Sequence, residues 1–202
     1  MVLTPSTMLP LASTLPPFHL PVAAGTGSDA SIDSTSLPQR PVLLMLLCSH
    51  CPFVKHIKAE LSRIDRDYTG RVTLLGVASN SWITHPQDRP EALAAQAQRH
   101  DWSFPYLLDQ EQSLAKALQA ACTPEFYLFA PEQGSGVQTL RYRGQLDGSR
   151  PGNGQPVTGE DLRAALDAVL TNTAVHPRQQ ASIGCNIKWH PGQEPQWFGG
   201  TA

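Results

Sequence analysis

The stretch VLLMLLCSHCPFVKHIKAEL, residues 42–61, decides the fold. Val42 to Leu47 is an unbroken apolar run behind Pro41, the pattern of a strand buried on both faces, as in a parallel sheet with helices on each side. After Pro52, the apolar residues Val54, Ile57, Leu61 and Ile64 recur at spacings of three and four, with Lys55, His56, Lys58 and Glu60 on the other face. That spacing predicts an amphipathic helix, and Pro52 suits its first turn. Cys48-Ser49-His50-Cys51 therefore falls where a buried strand gives way to a helix, the placement that makes a C-x-x-C pair a redox centre.

A helix N-terminus carries unpaired N–H groups and a partial positive charge, which stabilise a thiolate and lower a cysteine pKa from its free value of about 8.5. Cys48 is expected to be the stronger nucleophile, with His50, Lys55, His56 and Lys58 acting in the same direction. In the expected cycle Cys48 attacks a substrate disulfide and Cys51 then displaces the reduced substrate. The reverse direction oxidises a dithiol.

Outward from this centre, Val72–Ala78 reads as a second buried strand and residues 90–100 as an alanine-rich helix that Asp88 and Glu91 help to start. A short strand is expected at 106–108, a helix over 111–120, and a strand at 126–129 with an antiparallel hairpin partner at 138–143. Thr158-Gly159-Glu160-Asp161 matches the capping box of a helix that buries Leu162, Leu166, Val169 and Leu170. Residues 1–41 hold seven of the 18 prolines and no Lys or Arg before Arg40, which favours extended and loop structure, with a short strand near residues 18–20. The expected organisation is an irregular segment at 1–14, one α/β domain at 15–172, and an extension at 173–202 that docks through apolar residues such as Ile183, Ile187 and Trp189.

Composition narrows the function classes. The chain has 202 residues, 41% hydrophobic and 16% charged, which supports a core and excludes wholesale disorder. A net charge of −2 gives no long-range attraction to nucleic acid or anionic membrane. The longest apolar run falls far short of the ~20 residues of a membrane helix. No basic segment precedes an apolar stretch at the N-terminus, so no Sec-type signal is expected. Four cysteines, at 48, 51, 122 and 185, are too few and too uneven for a disulfide scaffold and fit a reducing cytoplasm.

Five segments together resemble the thioredoxin superfamily, and within it the peroxiredoxin-like branch related to alkyl hydroperoxide reductase and thiol-specific antioxidant that carries C-x-x-C. They are residues 42–61, GVASN at 76–80, FPYLLD at 104–109, ACTPEFYLF at 121–129 and YRGQLDGSRPGNG at 142–154. The resemblance implies a thioredoxin-like α/β fold, a central mixed sheet with helices on both faces. It implies that Thr123-Pro124 is the superfamily's cis-proline dipeptide beside the cysteine pair, with Ser49, Pro52, Thr123 and Pro124 facing substrate. Where peroxiredoxins carry a Thr or Ser and a Pro ahead of the peroxidatic Cys, alignment on Cys51 finds Cys48 and Leu44. Thioredoxins have a buried Asp on the preceding strand; this chain does not, which leaves the proton acceptor for Cys51 unassigned, with Glu125, next to Pro124, as a candidate.

The function expected is thiol–disulfide oxidoreduction with Cys48, Cys51 and His50 as catalytic residues. Alternatives are a thiol-dependent peroxidase and a redox-inactive or metal-holding module on the same scaffold. Substrates would be protein or small-molecule disulfides and dithiols, served by a thioredoxin or glutathione system, with no cofactor and no metal. A zinc site would have to draw on His50, His56, Cys122 and Cys185 beside the pair. Cys122 reads as a buried small hydrophobe, and Cys185 as a buried thiol with an accessory redox role as the alternative.

Overall fold

The computed structural model describes residues 3–25, 27 and 30–198. In chain order the strands are β1 (Leu3–Pro5), β2 (His19–Ala24), β3 (Ser31–Asp33), β4 (Val42–Leu46), β5 (Thr73–Ala78), β6 (Tyr106–Leu108), β7 (Cys122–Thr123), β8 (Glu125–Pro131), β9 (Gln138–Gly144) and β10 (Ile183–Asn186). The helices are α1 (Pro52–Tyr68), α2 (Pro90–Arg99), α3 (Ser113–Ala117) and α4 (Glu160–Leu170). Seven strands form a mixed sheet in the order β3-β2-β6-β5-β4-β8-β9, with β4 parallel to β5 and antiparallel to β8. A second sheet, β1-β10-β7, is antiparallel.

The apolar run behaves as its composition demands. Every residue of β4 is buried, and alternate side chains serve opposite cores. Leu43 and Met45 join α1, α2 and α4 on one face, whereas Val42, Leu44 and Leu46 meet α3, Phe18, Ile187 and Trp189 on the other. Helices thus cover both faces of a central mixed sheet, as the sequence implies. No helix among the described residues is long and apolar enough to cross a membrane.

Several expectations are corrected. Residues 3–5 form a strand instead of irregular chain, because β10 supplies an edge for them to pair with. The helix expected over 111–120 is confined to Ser113–Ala117, entered through Gln112 in the left-handed region at φ 58°. The capping box does not form, because Gly159 is the N-cap of α4. Asp147 instead accepts the Thr158 and Gly159 amides at 2.7 and 2.6 Å. Asp88 does not cap α2, whose N-cap is Arg89. In the extension, β10 pairs with β7 and Ile187 and Trp189 are buried, whereas Ile183, read from the sequence as a docking residue, is exposed.

Because Leu44 is wholly buried against β8 and the α3 side, Leu44→Ala should cost about 2–5 kcal/mol. Urea unfolding checks this, and a cost below 1 kcal/mol would mean the site is not packed as described.

Candidate redox site

Cys48 follows the C-terminal end of β4, and Cys51 is the N-cap of α1 with Pro52 at its first position. Both are fully buried. Thr123 stands between them. Its hydroxyl lies 3.5 Å from Cys48 Sγ, and its carbonyl oxygen, 3.3 Å from Cys51 Sγ, accepts from Cys51 whenever that thiol is protonated. The following bond, Thr123–Pro124, is cis, as the resemblance implies. Beyond the pair, Cys185 on β10 brings its Sγ to 2.9 Å from Cys51 Sγ. All four cysteines are free thiols.

The expected division of acidity is reversed. Hydrogen bonding with Cys185 and then with Cys48 lowers the Cys51 pKa to about 2 against the opposing effect of burial, with further help from the Val54 amide. Cys48 is pushed up, first by burial, then by its bond to Cys51 and by the charge of Asp88. Cys185 is likewise raised, chiefly by its bond to Cys51. The physical reason is position: Cys51 is the residue that meets the helix N–H groups, and it has a thiol on either side, Cys48 before it in the turn and Cys185 at 2.9 Å. Lys55 and Lys58 are exposed, and His56 Nε2 lies 2.8 Å from Ser149 Oγ, so these bases turn away from the sulfurs.

His50 reaches the site through a partner the sequence reading missed. Its Nδ1 lies 2.7 Å from Asp88 Oδ2, an ion-pair contact without aligned hydrogen-bond geometry. Asp88 is buried and also accepts from the Ser49 amide and hydroxyl, each at 2.9 Å, and from Asn80 Nδ2 at 2.8 Å. Burial raises its pKa, but the His50, Asn80 and Ser49 contacts outweigh that and leave it lowered. His85, with no apparent arrangement in the sequence, stacks on His50 with ring centroids 5.6 Å apart. Asp88 was legible only as a helix starter; an acidic residue in a loop says nothing of the cysteine turn 40 positions away.

Cys48 Sγ, one His50 ring nitrogen and an Asp88 oxygen lie within 4.8 Å of one another. They offer one donor each of S, N and O, one short of tetrahedral zinc. Of the zinc ligands considered from the sequence, His50 and Cys185 come to the cysteine pair, whereas His56 bonds Ser149 and Cys122 faces Glu125 at 3.9 Å. Glu125 accepts the Ala121 and Cys122 amides at 3.0 and 3.3 Å and the Tyr127 hydroxyl at 2.7 Å, so its carboxylate organises the β7 turn and not the Cys51 proton. Cys122 is buried, and desolvation foremost raises its pKa, the setting in which a thiol is least reactive.

The AhpC/TSA family profile matches residues 11–137. The chain belongs to the AhpC/TSA family. No curated protein sequence matches it. A crystal structure of an uncharacterized conserved protein from Geobacillus kaustophilus is 42% identical, with 95% of this chain and 98% of that one covered at a TM-score of 0.88. A hypothetical protein from Sinorhizobium meliloti 1021 is 38% identical over 94% of this chain and 100% of its own, at a TM-score of 0.86. A secreted Mycobacterium tuberculosis disulfide oxidoreductase homologous to E. coli DsbE shares 18% identity at a TM-score of 0.53, covering 75% of this chain and 95% of that one, and shows the fold alone. This AhpC/TSA member has the thioredoxin-like fold and is a redox protein of the peroxiredoxin-like branch.

Asp88 titrates lower in the fold than unfolded, so its contribution to stability is complete above the unfolded carboxylate pKa of about 3.9 and is lost as pH falls through the folded value. Asp88→Asn should therefore be less stable than the parent at neutral pH, with the gap closing below pH of about 4. Thermal unfolding across pH checks the sign; a gap that widens in acid contradicts it.

Proposed function

We propose that the protein is a thiol–disulfide oxidoreductase in which Cys48 forms the bond to substrate and Cys51 is the sulfur that arrives or leaves as a stabilised thiolate. The observation that carries this is the Cys51 sulfur, at a helix N-terminus and flanked by two thiols, Cys48 and Cys185. In a Cys48–Cys51 disulfide, a substrate thiolate attacks Cys48 and Cys51 leaves, because the lower-pKa sulfur is the better leaving group. A second substrate thiol then displaces Cys48 and leaves as a substrate disulfide, while the protein is reduced by two electrons.

Stabilising the reduced form makes the disulfide more oxidising, as it does for strongly oxidising dithiols. Oxidation of dithiols is therefore the favoured direction. Asp88 opposes ionisation of Cys48, and His50, with Nδ1 2.7 Å from Asp88 Oδ2, helps to fix that carboxylate in place, which gives His50 an indirect role as a positioning residue. Ser49, with its amide and hydroxyl on Asp88, holds the turn, while Thr123 touches both sulfurs and, with Pro124, is buried, its strand edge taken by β10 and not open to a substrate chain.

Reduced Cys51→Ser protein should retain a mixed disulfide at Cys48 after exposure to oxidised glutathione, and Cys48→Ser/Cys51→Ser should retain none on its remaining thiols, Cys122 and Cys185. The Cys48/Cys51 couple should equilibrate with glutathione at a potential less negative than the about −270 mV of thioredoxin. A more negative value, or adducts that persist without Cys48, overturns the assignment.

Reduction of hydroperoxides by the Cys51 thiolate is the alternative reading, favoured by the complete burial of both sulfurs, which admits a small oxidant more readily than a protein. Rapid mixing with hydrogen peroxide separates the two: a second-order rate no greater than that of free cysteine removes it.

A further inference from the structure

The extension that ends the chain is built into the site. β10 pairs with β7 in the register Cys185 opposite Thr123 and Asn186 opposite Cys122, so the chain itself fills the edge of the strand that leads to Pro124. The approach is close enough to specify glycine at 184, where a Cβ would lie 2.1 Å from the Thr123 carbonyl oxygen. On one side β10 is tied down by the Ser182 carbonyl, which accepts the Ser6 amide at 2.8 Å, and by the Ser182 hydroxyl, which donates to the Gly144 carbonyl at 2.6 Å. On the other, the Ile187 amide donates to the Ala121 carbonyl at 3.0 Å and the Lys188 amide to Asn80 Oδ1 at 2.8 Å. The consequence is a sulfur fixed 2.9 Å from Cys51 Sγ, well inside nonbonded separation and beyond the ~2.05 Å of a disulfide. A packing thiol needs no such approach, and Cys122, the packing thiol of the same sheet, makes none to another cysteine among the described residues.

We propose that Cys185 is a third redox thiol, which takes the disulfide from Cys48–Cys51 and holds it as Cys51–Cys185. The inference rests on the exchange chemistry proposed above. In the step, Cys185 sulfur attacks Cys51 Sγ, the Cys51–Cys48 bond breaks, and Cys48 leaves with the electron pair. The proton of Cys185 ends on Cys48, so no electrons enter or leave the protein. Oxidation of Cys51 removes the anion that chiefly holds the Cys185 proton in place, and Lys188 then favours the Cys185 thiolate. The oxidised chain thus returns Cys48 to the free state, while the two-electron equivalent rests under β10. To reopen the pair, a reductant must reach Cys185, the least buried of the three sulfur-bearing residues at 5% exposure.

The test is disulfide mapping of the full chain. Reduced protein is oxidised with oxidised glutathione, quenched by alkylation in acid, digested without reduction and read by mass spectrometry. Wild type is expected to give mainly linked Cys51–Cys185 peptides, and both Cys185→Ala and Cys185→Ser to give Cys48–Cys51 instead, with circular dichroism confirming that each variant folds. Cys48–Cys51 as the main product in wild type and variants alike overturns the relay and leaves the exchange function standing. Failure of Cys48–Cys51 to form in either folded Cys185 variant overturns the relay together with the exchange function beneath it. Should both Cys185 variants fail to fold, Cys48→Ser supplies the readout: it is expected to form Cys51–Cys185 under the same oxidant, and an absence of that bond overturns the relay.

Discussion

A sulfur anion with no water beside it is tolerable only where the protein supplies the protons and dipoles that solvent would otherwise give. Cys51 meets that condition from three directions: helix α1 offers its N-terminal amides, Cys48 bonds it from the preceding turn, and Cys185 bonds it from β10. The rest of the fold keeps those three in place. β4, buried along its whole length, delivers Cys48; Pro52 starts the helix immediately after Cys51; and the β1-β10-β7 sheet brings the end of the chain to the site.

The same economy explains the polar turn around Cys48. A buried Asp88 carboxylate is costly unless its oxygens are occupied, and Ser49, Asn80 and His50 occupy them. The loop between β5 and α2 is thereby tied to the cysteine turn, so the charge beside Cys48 is set by a residue that has no part in the C-x-x-C motif. Cys48 ionises with difficulty and Cys51 with ease, an asymmetry that suits a disulfide whose two sulfurs do different work.

The buried strands and the strand-to-helix placement of the cysteine pair were legible because they follow from local pattern: an apolar run, a 3.6-residue periodicity, a proline at the right position. Thr123-Pro124 was legible through resemblance. What escaped was every feature set by pairing across long stretches of chain. Nothing near Leu3 announces a strand, since its partner lies about 180 residues away at Cys185. Asp88 and His85 look like ordinary loop residues until the fold sets them against His50. The acidity of the pair was read in the wrong order for the same reason: the helix dipole is visible in sequence, whereas the thiol donor that decides between Cys48 and Cys51 comes from the far end of the chain.

The most direct test is a pH titration of the reduced protein with carbon-13 label at the cysteine β-carbons, each signal assigned through the single Cys→Ser variants. Cys51 should report a thiolate throughout the neutral range and gain its proton only in acid, while Cys48 and Cys185 stay protonated above neutrality. A Cys51 signal that titrates near 8.5, the value of a free thiol, or a Cys48 signal that ionises first, would contradict the central claim.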